Sequence, residues 1–190
     1  SSPPAASYAA RPSPPFKLHI SGALSAHGMK GRRKPKPNQD RCLVAYPVPG
    51  PPGKHRALFL VCDGHGRRGD ACSDFCSRAI VAHLDDHLGE VADATTPEVL
   101  KDAVSGAHAK IIAQRRFDAK RSGTTCCAVL MVGRELHCAN VGDSRAVLAR
   151  RVPPVKGAKG AESERFEAIT LTNDHKPEDE KEAARVRAVG

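Results

Sequence analysis

The chain has 190 residues, 40% of them hydrophobic and 27% charged, and a formal net charge of +9. That length suits a single domain able to bury roughly 70% of its unfolded-chain surface, and with aromatic residues at 4% and no Trp its core must be aliphatic. No apolar run approaches the ~20 residues needed to span a bilayer, and Ser1 to Ala10 lack the basic start and apolar stretch of a secretory signal, so a location inside the cell, cytoplasmic or nuclear, is expected.

Residues 1–15, rich in Ser, Ala and Pro, are expected to be a flexible lead-in, with one domain over 16–190. From Phe16 to His27, Leu18, Ile20, Ala23 and Leu24 predict a first strand. The run Lys30-Gly31-Arg32-Arg33-Lys34-Pro35-Lys36 holds much of the positive charge. Such a run is usually a solvated loop, with a nuclear-import-like patch or phosphate capture beside a site as competing uses. Five Phe and two Tyr offer few stacking platforms, so nucleic acid is not the expected partner. Arg41 to Tyr46 reads as a second strand, and the prolines of Pro47 to Gly53 require a loop.

Ala57 to Cys62 is a continuous apolar run ending at Asp63-Gly64-His65-Gly66, the pattern of a strand buried on both faces that opens into a tight loop. Cys72, Phe75, Cys76, Ala79, Ile80, Leu84 and Leu88 fall on one stripe of a helix closed by Gly89. A second helix is expected from Thr96-Pro97, burying Val99, Leu100, Ala103, Val104, Ala107, Ile111 and Ile112. Thr124 to Val132, Leu136 to Val141 and Ala146 to Ala149 then read as an antiparallel meander. Beyond a polar insertion, Phe166 to Leu171 suits another strand and Pro177 to Val189 a charged helix. This order of elements favours an α+β layered domain.

The seven cysteines form no regular framework and suit reduced thiols in a reducing compartment. Two arrangements are decoys. Cys138 and Arg145 are separated by six residues including Asp143, unsuited to an anion cradle, and Cys138 is expected to face the core. Cys72, Cys76, His83 and His87 cannot share one ion, because Cys76 and His83 are roughly 10 Å apart by helix rise.

Asp40 precedes a strand, Asp63 follows one and Asp143 lies in the turn between two. Any one of them alone is explained by capping a turn. Three carboxylates at neighbouring strand ends make an oxygen-lined pocket for Mg²⁺ or Mn²⁺, and Gly64 would let its own carbonyl reach the ion. His65 can donate a proton to a leaving oxygen or be a structural histidine bonded to its own loop.

Asn38-Gln39-Asp40-Arg41, Val61-Cys62-Asp63-Gly64-His65-Gly66, Ser122-Gly123-Thr124-Thr125, Ala139 to Leu148 and Leu171-Thr172-Asn173-Asp174-His175-Lys176-Pro177 resemble, in order, the motifs of the metal-dependent 2C-type Ser/Thr protein phosphatases. The resemblance covers about His27 to the last residue. It implies a four-layer α/β/β/α sandwich holding two Mg²⁺ or Mn²⁺ ions, and phosphorylated proteins as substrates of a monomeric enzyme. It further implies that Asp63 bridges both ions, the Gly64 carbonyl binds one, Asp40 acts directly or through water, and Asp143 serves a looser additional ion. Water activated between the metals would attack phosphoserine or phosphothreonine, and His65 would protonate the departing alkoxide. Arg33 is the candidate to grip the phosphate, with Lys34 and Lys36 as rivals.

Two departures bear on competence. Gln39 replaces a Glu found in many members; an amide can still orient a metal-bound water. The chain also ends at Gly190, before the flap, the remaining strands and two further metal-binding Asp residues of the family. The sandwich is therefore expected to be incomplete and the segment by itself inactive or weakly active. The alternative is a degenerate phosphatase-like module that binds a partner or phosphopeptide without turning it over.

Overall fold

The computed structural model describes residues 21–26, 29–30, 34–35, 37–50, 55–89, 96–152 and 165–189. The lead-in over 1–15 lies outside them. So does half of the expected first strand, and its described part does not form: 21–26 has no regular structure and Leu24 is 89% exposed. Polar ties hold this segment in place of a ladder, for the Ser25 hydroxyl donates to the Asp40 carbonyl and accepts from Asn38. Within the basic run, β1 (Met29–Lys30) and β2 (Lys34–Pro35) pair antiparallel.

The centre is a four-stranded antiparallel sheet of order β3-β4-β7-β8. It comprises β3 (Arg41–Ala45), β4 (Arg56–Cys62), β7 (Cys126–Val132) and β8 (Glu135–Val141). Aliphatic runs suit such positions because side chains alternate between faces. Leu58, Leu60 and Cys62 of β4 meet Cys126, Ala128, Leu130 and Val132 of β7 in one apolar cluster with two helices. Burying each large aliphatic side chain contributes about 1.5–3 kcal/mol. Burial of β4 on both faces is only partly realised: Phe59 is half-buried and Val61 is 48% exposed.

Helix α1 (Gly69–His87) lays Cys72, Cys76, Ile80 and Leu84 against this sheet, with Leu88 following. Helix α2 (Thr96–Ala113) adds Leu100, Ala103, Ala107 and Ile111. Ile112, one residue and about 100° further round the helix, is instead exposed. Among the described residues, charge enters this core once, where the buried Arg56 donates to the carbonyls of Pro49 at 3.0 Å and Leu88 at 2.8 Å. A cation there also complements the negative end of α1.

The loop expected after β4 is a short strand, β5 (Gly64–Gly66), paired antiparallel with β6 (Ser122–Thr124). The expected meander also ends early. β7 and β8 form a hairpin, but β9 (Val147–Val152) leaves the sheet and pairs with β10 (Arg165–Thr170). Cys138 sits in register with Val129 on β8 and is exposed, because that sheet face turns away from the helices. The final helix, α3 (Glu180–Val189), buries no residue. No helix among the described residues is long and apolar enough to cross a membrane.

Candidate active site

Arg41 pairs with Cys62 across β3 and β4. One step further along each strand stand Asp40 and Asp63, so the ladder itself sets two acids side by side. Asn38 fixes the first, its side-chain oxygen accepting the Asp40 amide at 3.0 Å. The second is gripped by Thr125, whose amide donates to the Asp63 carbonyl and whose hydroxyl accepts from the Asp63 amide, both at 2.9 Å.

Asp143, in the β8–β9 connection, lies near enough for its charge to raise the Asp63 carboxyl, although the carboxylate oxygens of Asp40, Asp63 and Asp143 do not all lie within 4.8 Å of one another. Gly142 makes this possible with φ +97°, and a Cβ there would lie 2.7 Å from Thr125 Cγ2. Its carbonyl accepts the His175 amide at 2.9 Å and the Asn140 side chain at 3.1 Å. Arg145 forms a two-pronged ion pair with Asp174, at 2.9 and 2.7 Å, which ties the connection to the segment after β10. Thr125 and Ser144 hydroxyls, 2.6 Å apart, complete the link.

The electrostatics agree with this placement. Partial desolvation raises the Asp63 carboxyl above its ordinary 3.8; Asp40 and then Asp143 push the same way, and His65 opposes them. Crowded carboxylates of this kind call for a cation. His65 lies opposite Gly123 in the β5–β6 ladder, where a Cβ would come within 2.7 Å of its Nε2. Gly64 is equally confined, since a Cβ would meet the carbonyl oxygens of Gln39 and Gly69 at 2.3 Å.

Gln39 does more than replace an acid. Its side-chain amide donates to the Gly66 carbonyl at 2.7 Å and its backbone carbonyl accepts the Ser73 hydroxyl at 2.5 Å, bracing β5 against α1. Arg33 and the side chains of Lys34 and Lys36 lie outside the described residues. Thr125, Ser144 and the Arg145–Asp174 pair had no role assigned from sequence, though all fall within the quoted motifs.

Among the described residues, the one group of three potential ligands with all donor atoms within 4.8 Å is Cys62, Cys76 and Cys126, which is buried. These soft sulfur donors do not suit Mg²⁺ or Mn²⁺, whereas the carboxylates and carbonyl around Asp63 do. The other decoy resolves into stacked His83 and His87 rings, 4.0 Å apart. A groove of about 920 Å³ beside α3 is lined by Arg145, Asp174 and Glu182 among others, and includes none of Asp40, Asp63 and His65.

Residues 24–190 match the family model of Protein phosphatase 2C. The chain is 34% identical over 182 residues to Probable protein phosphatase 2C 35 of Arabidopsis thaliana, covering 94% of this chain and 47% of that protein. It is 37% identical over 137 residues to Protein phosphatase 2C homolog 3 of Schizosaccharomyces pombe, covering 70% of this chain and 28% of that one. The chain thus spans half or less of the length of these relatives. Among solved structures, the PPM Ser-Thr phosphatase MsPP of Mycobacterium smegmatis, in complex with cacodylate, superposes with a TM-score of 0.50 at 25% identity, over 80% of this chain and 53% of that one. The serine/threonine phosphatase Stp1 of Staphylococcus aureus shares the fold with a TM-score of 0.57 at 19% identity, over 84% of this chain and 58% of that one.

Proposed function

The chain belongs to the protein phosphatase 2C family, and from that premise we propose that it carries part of the catalytic machinery for metal-dependent hydrolysis of phosphoserine and phosphothreonine in proteins. The observation that carries this assignment is the side-by-side placement of Asp40 and Asp63 at the ends of β3 and β4, with Asp143 near enough to act on the Asp63 carboxyl and His65 on the adjoining strand.

Asp63, with Asp40, Asp143 and the Gly64 carbonyl, would hold Mg²⁺ or Mn²⁺, with two ions expected. Such ions, when bound, neutralise phosphate charge and lower the pKa of water. The residues of the chain supply the rest. Thr125 fixes the Asp63 backbone at both its amide and its carbonyl, so the strand end that carries the carboxylate is held before any cation arrives. The imidazole of His65, held over Gly123, donates the proton that the departing serine or threonine oxygen requires, because an alkoxide is a poor leaving group. Arg33 is the proposed grip on the phosphate.

Release of phosphate from a phosphothreonine peptide by the purified protein tests this. Turnover should require Mn²⁺ or Mg²⁺, stop on chelation, persist after thiol alkylation, and vanish in Asp63→Asn. Activity that survives chelation or D63N would overturn the assignment.

A further inference from the structure

The β5–β6 ladder ends at the pair Gly66 and Ser122. The next residue on each side is an arginine, Arg67 and Arg121, and a second, Arg68, follows the first. Their placement is close: a Cβ on Gly66, whose φ is +81°, would lie 2.2 Å from the Arg121 carbonyl oxygen. The Arg68 amide donates to the Ser122 hydroxyl at 2.9 Å, closing the end of the ladder. Together Arg67, Arg68, Arg121, Ser122 and Asp118 line an open cleft of about 380 Å³.

This cleft is short of negative charge. Asp118 is its one acid, and a carboxylate oxygen of Asp118 already accepts the Lys120 amide at 2.9 Å. Arg68 approaches Asp70 at 3.8 Å, while Arg67 and Arg121 make no ion pair among the described residues. All three arginines are exposed. Helix α1 starts at Gly69 with no side-chain cap, adding the positive end of its dipole beside them. Like charges facing across a ladder end repel one another, a cost that an anion would relieve.

We propose that Arg67, Arg68 and Arg121 form an anion subsite for a second phosphate or a carboxylate on the same polypeptide as the phosphoresidue being hydrolysed. Location dictates the occupant. His65 is two residues from Arg67 on one continuous segment, so an acidic group two or three residues along an extended substrate, at about 3.3 Å per residue, can reach the guanidinium groups. Paired arginines bind phosphate and carboxylate through planar, two-pronged hydrogen bonds. Preferred substrates are therefore acidic or multiply phosphorylated segments. The assignment of substrate class rests on the phosphatase activity proposed above.

The test compares kcat/KM for four phosphothreonine peptides identical except for alanine, glutamate, phosphoserine or lysine in the flank. At low salt the acidic flanks should be favoured by about 5-fold or more, a preference that screening by 0.5 M salt removes. The Arg67→Ala/Arg121→Ala variant should bring the acidic-to-alanine ratio near one, and Arg67→Glu/Arg121→Glu should invert it in favour of a lysine flank. Equal ratios in the parent and both variants would overturn the subsite. A preference for phosphoserine without one for glutamate would restrict the occupant to phosphate. If no phosphopeptide is hydrolysed, this segment does not carry the proposed activity by itself. The subsite is then decided by fluorescence anisotropy with a labelled glutamate-flanked peptide lacking phosphothreonine. Binding tighter than that of the alanine-flanked peptide, and lost in the double alanine variant, upholds it; equal binding overturns it.

Discussion

Asp63 and Thr125 are joined by two reciprocal hydrogen bonds of 2.9 Å, amide to hydroxyl in one direction and amide to carbonyl in the other. The same Thr125 hydroxyl lies 2.6 Å from Ser144, the residue after Asp143. One buried side chain therefore sets the spacing of two acids that arrive from different parts of the chain.

Thr125→Val keeps the shape and removes the hydroxyl, leaving the Asp63 amide without its partner. An unsatisfied group in this position costs about 1–3 kcal/mol. We expect a corresponding loss of stability in urea titration and at least a 10-fold drop in kcat/KM, with a higher Mn²⁺ requirement. Thr125→Ser should restore most of both. Equal metal requirements in the parent and the valine variant would show that Thr125 does not position the acids.

Gly123 tests His65 without touching it. A Cβ at residue 123 meets the imidazole tip, Nε2 at 2.7 Å and Cε1 at 3.1 Å, so the ring can swing aside at little cost in stability. Gly123→Ala should then leave the melting temperature nearly unchanged. Loss of a positioned general acid removes about 10²-fold or more where the leaving oxygen needs a proton. Hydrolysis of a phosphothreonine peptide should fall accordingly, and that of p-nitrophenyl phosphate, whose leaving group needs no proton, far less. Parallel losses on both substrates would argue against a proton-donating His65.

Much of this geometry is legible in the amino-acid sequence. The aliphatic run ending at Asp63 identified β4, and the i, i+4 spacing from Cys72 to Leu88 identified α1, because burial on one face imposes a period. What escaped sequence reasoning depends on distant partners. Asp63-Gly64-His65-Gly66 reads as a loop until Ser122 to Thr124, far along the chain, arrives to pair with it. The short runs after Gly133 predict a meander, yet whether β9 turns back onto β8 is decided by the contacts of Gly142 with His175 and of Arg145 with Asp174. Cys138, expected to face the core, is exposed, because alternation alone does not say which face of the sheet the helices cover. Gln39 is similar: its sequence reading is an amide that can orient a metal-bound water, and its side-chain hydrogen bond to Gly66 makes it a brace for β5.

The Arg145–Asp174 pair gives a pH dependence of definite sign. Hydrogen bonds from Arg145, reinforced by Lys176, hold the Asp174 carboxyl at about 2 against an ordinary 3.8. A depressed carboxyl stabilises the folded state above its unfolded value, and that contribution disappears as pH falls through the folded value. The parent should therefore be more stable than Asp174→Asn at pH 5–7, with the difference closing between about pH 4 and pH 2. Melting curves across that range measure it. A difference that instead grows on acidification would contradict the ion pair.

Asp63 should behave in the opposite sense. Its carboxyl is raised, by desolvation first and then by Asp40 and Asp143, so the folded state favours the protonated form. Without a cation, the parent then loses stability as pH rises from the unfolded value of about 3.8 through the raised folded value. Asp63→Asn removes the charge that its neighbours repel, and in metal-free buffer near pH 7 it should melt above the parent. At pH 3.5 the two should melt together. Added Mn²⁺ reverses the order, because a ligand bound to the folded state raises stability in proportion to RT ln(1 + [L]/Kd), and only the parent retains the central carboxylate. Thermal denaturation with and without Mn²⁺ at two pH values gives four melting temperatures. A metal-free parent more stable than Asp63→Asn at neutral pH would mean that the three carboxylates are not crowded, and with that the case for a cation between them would fall.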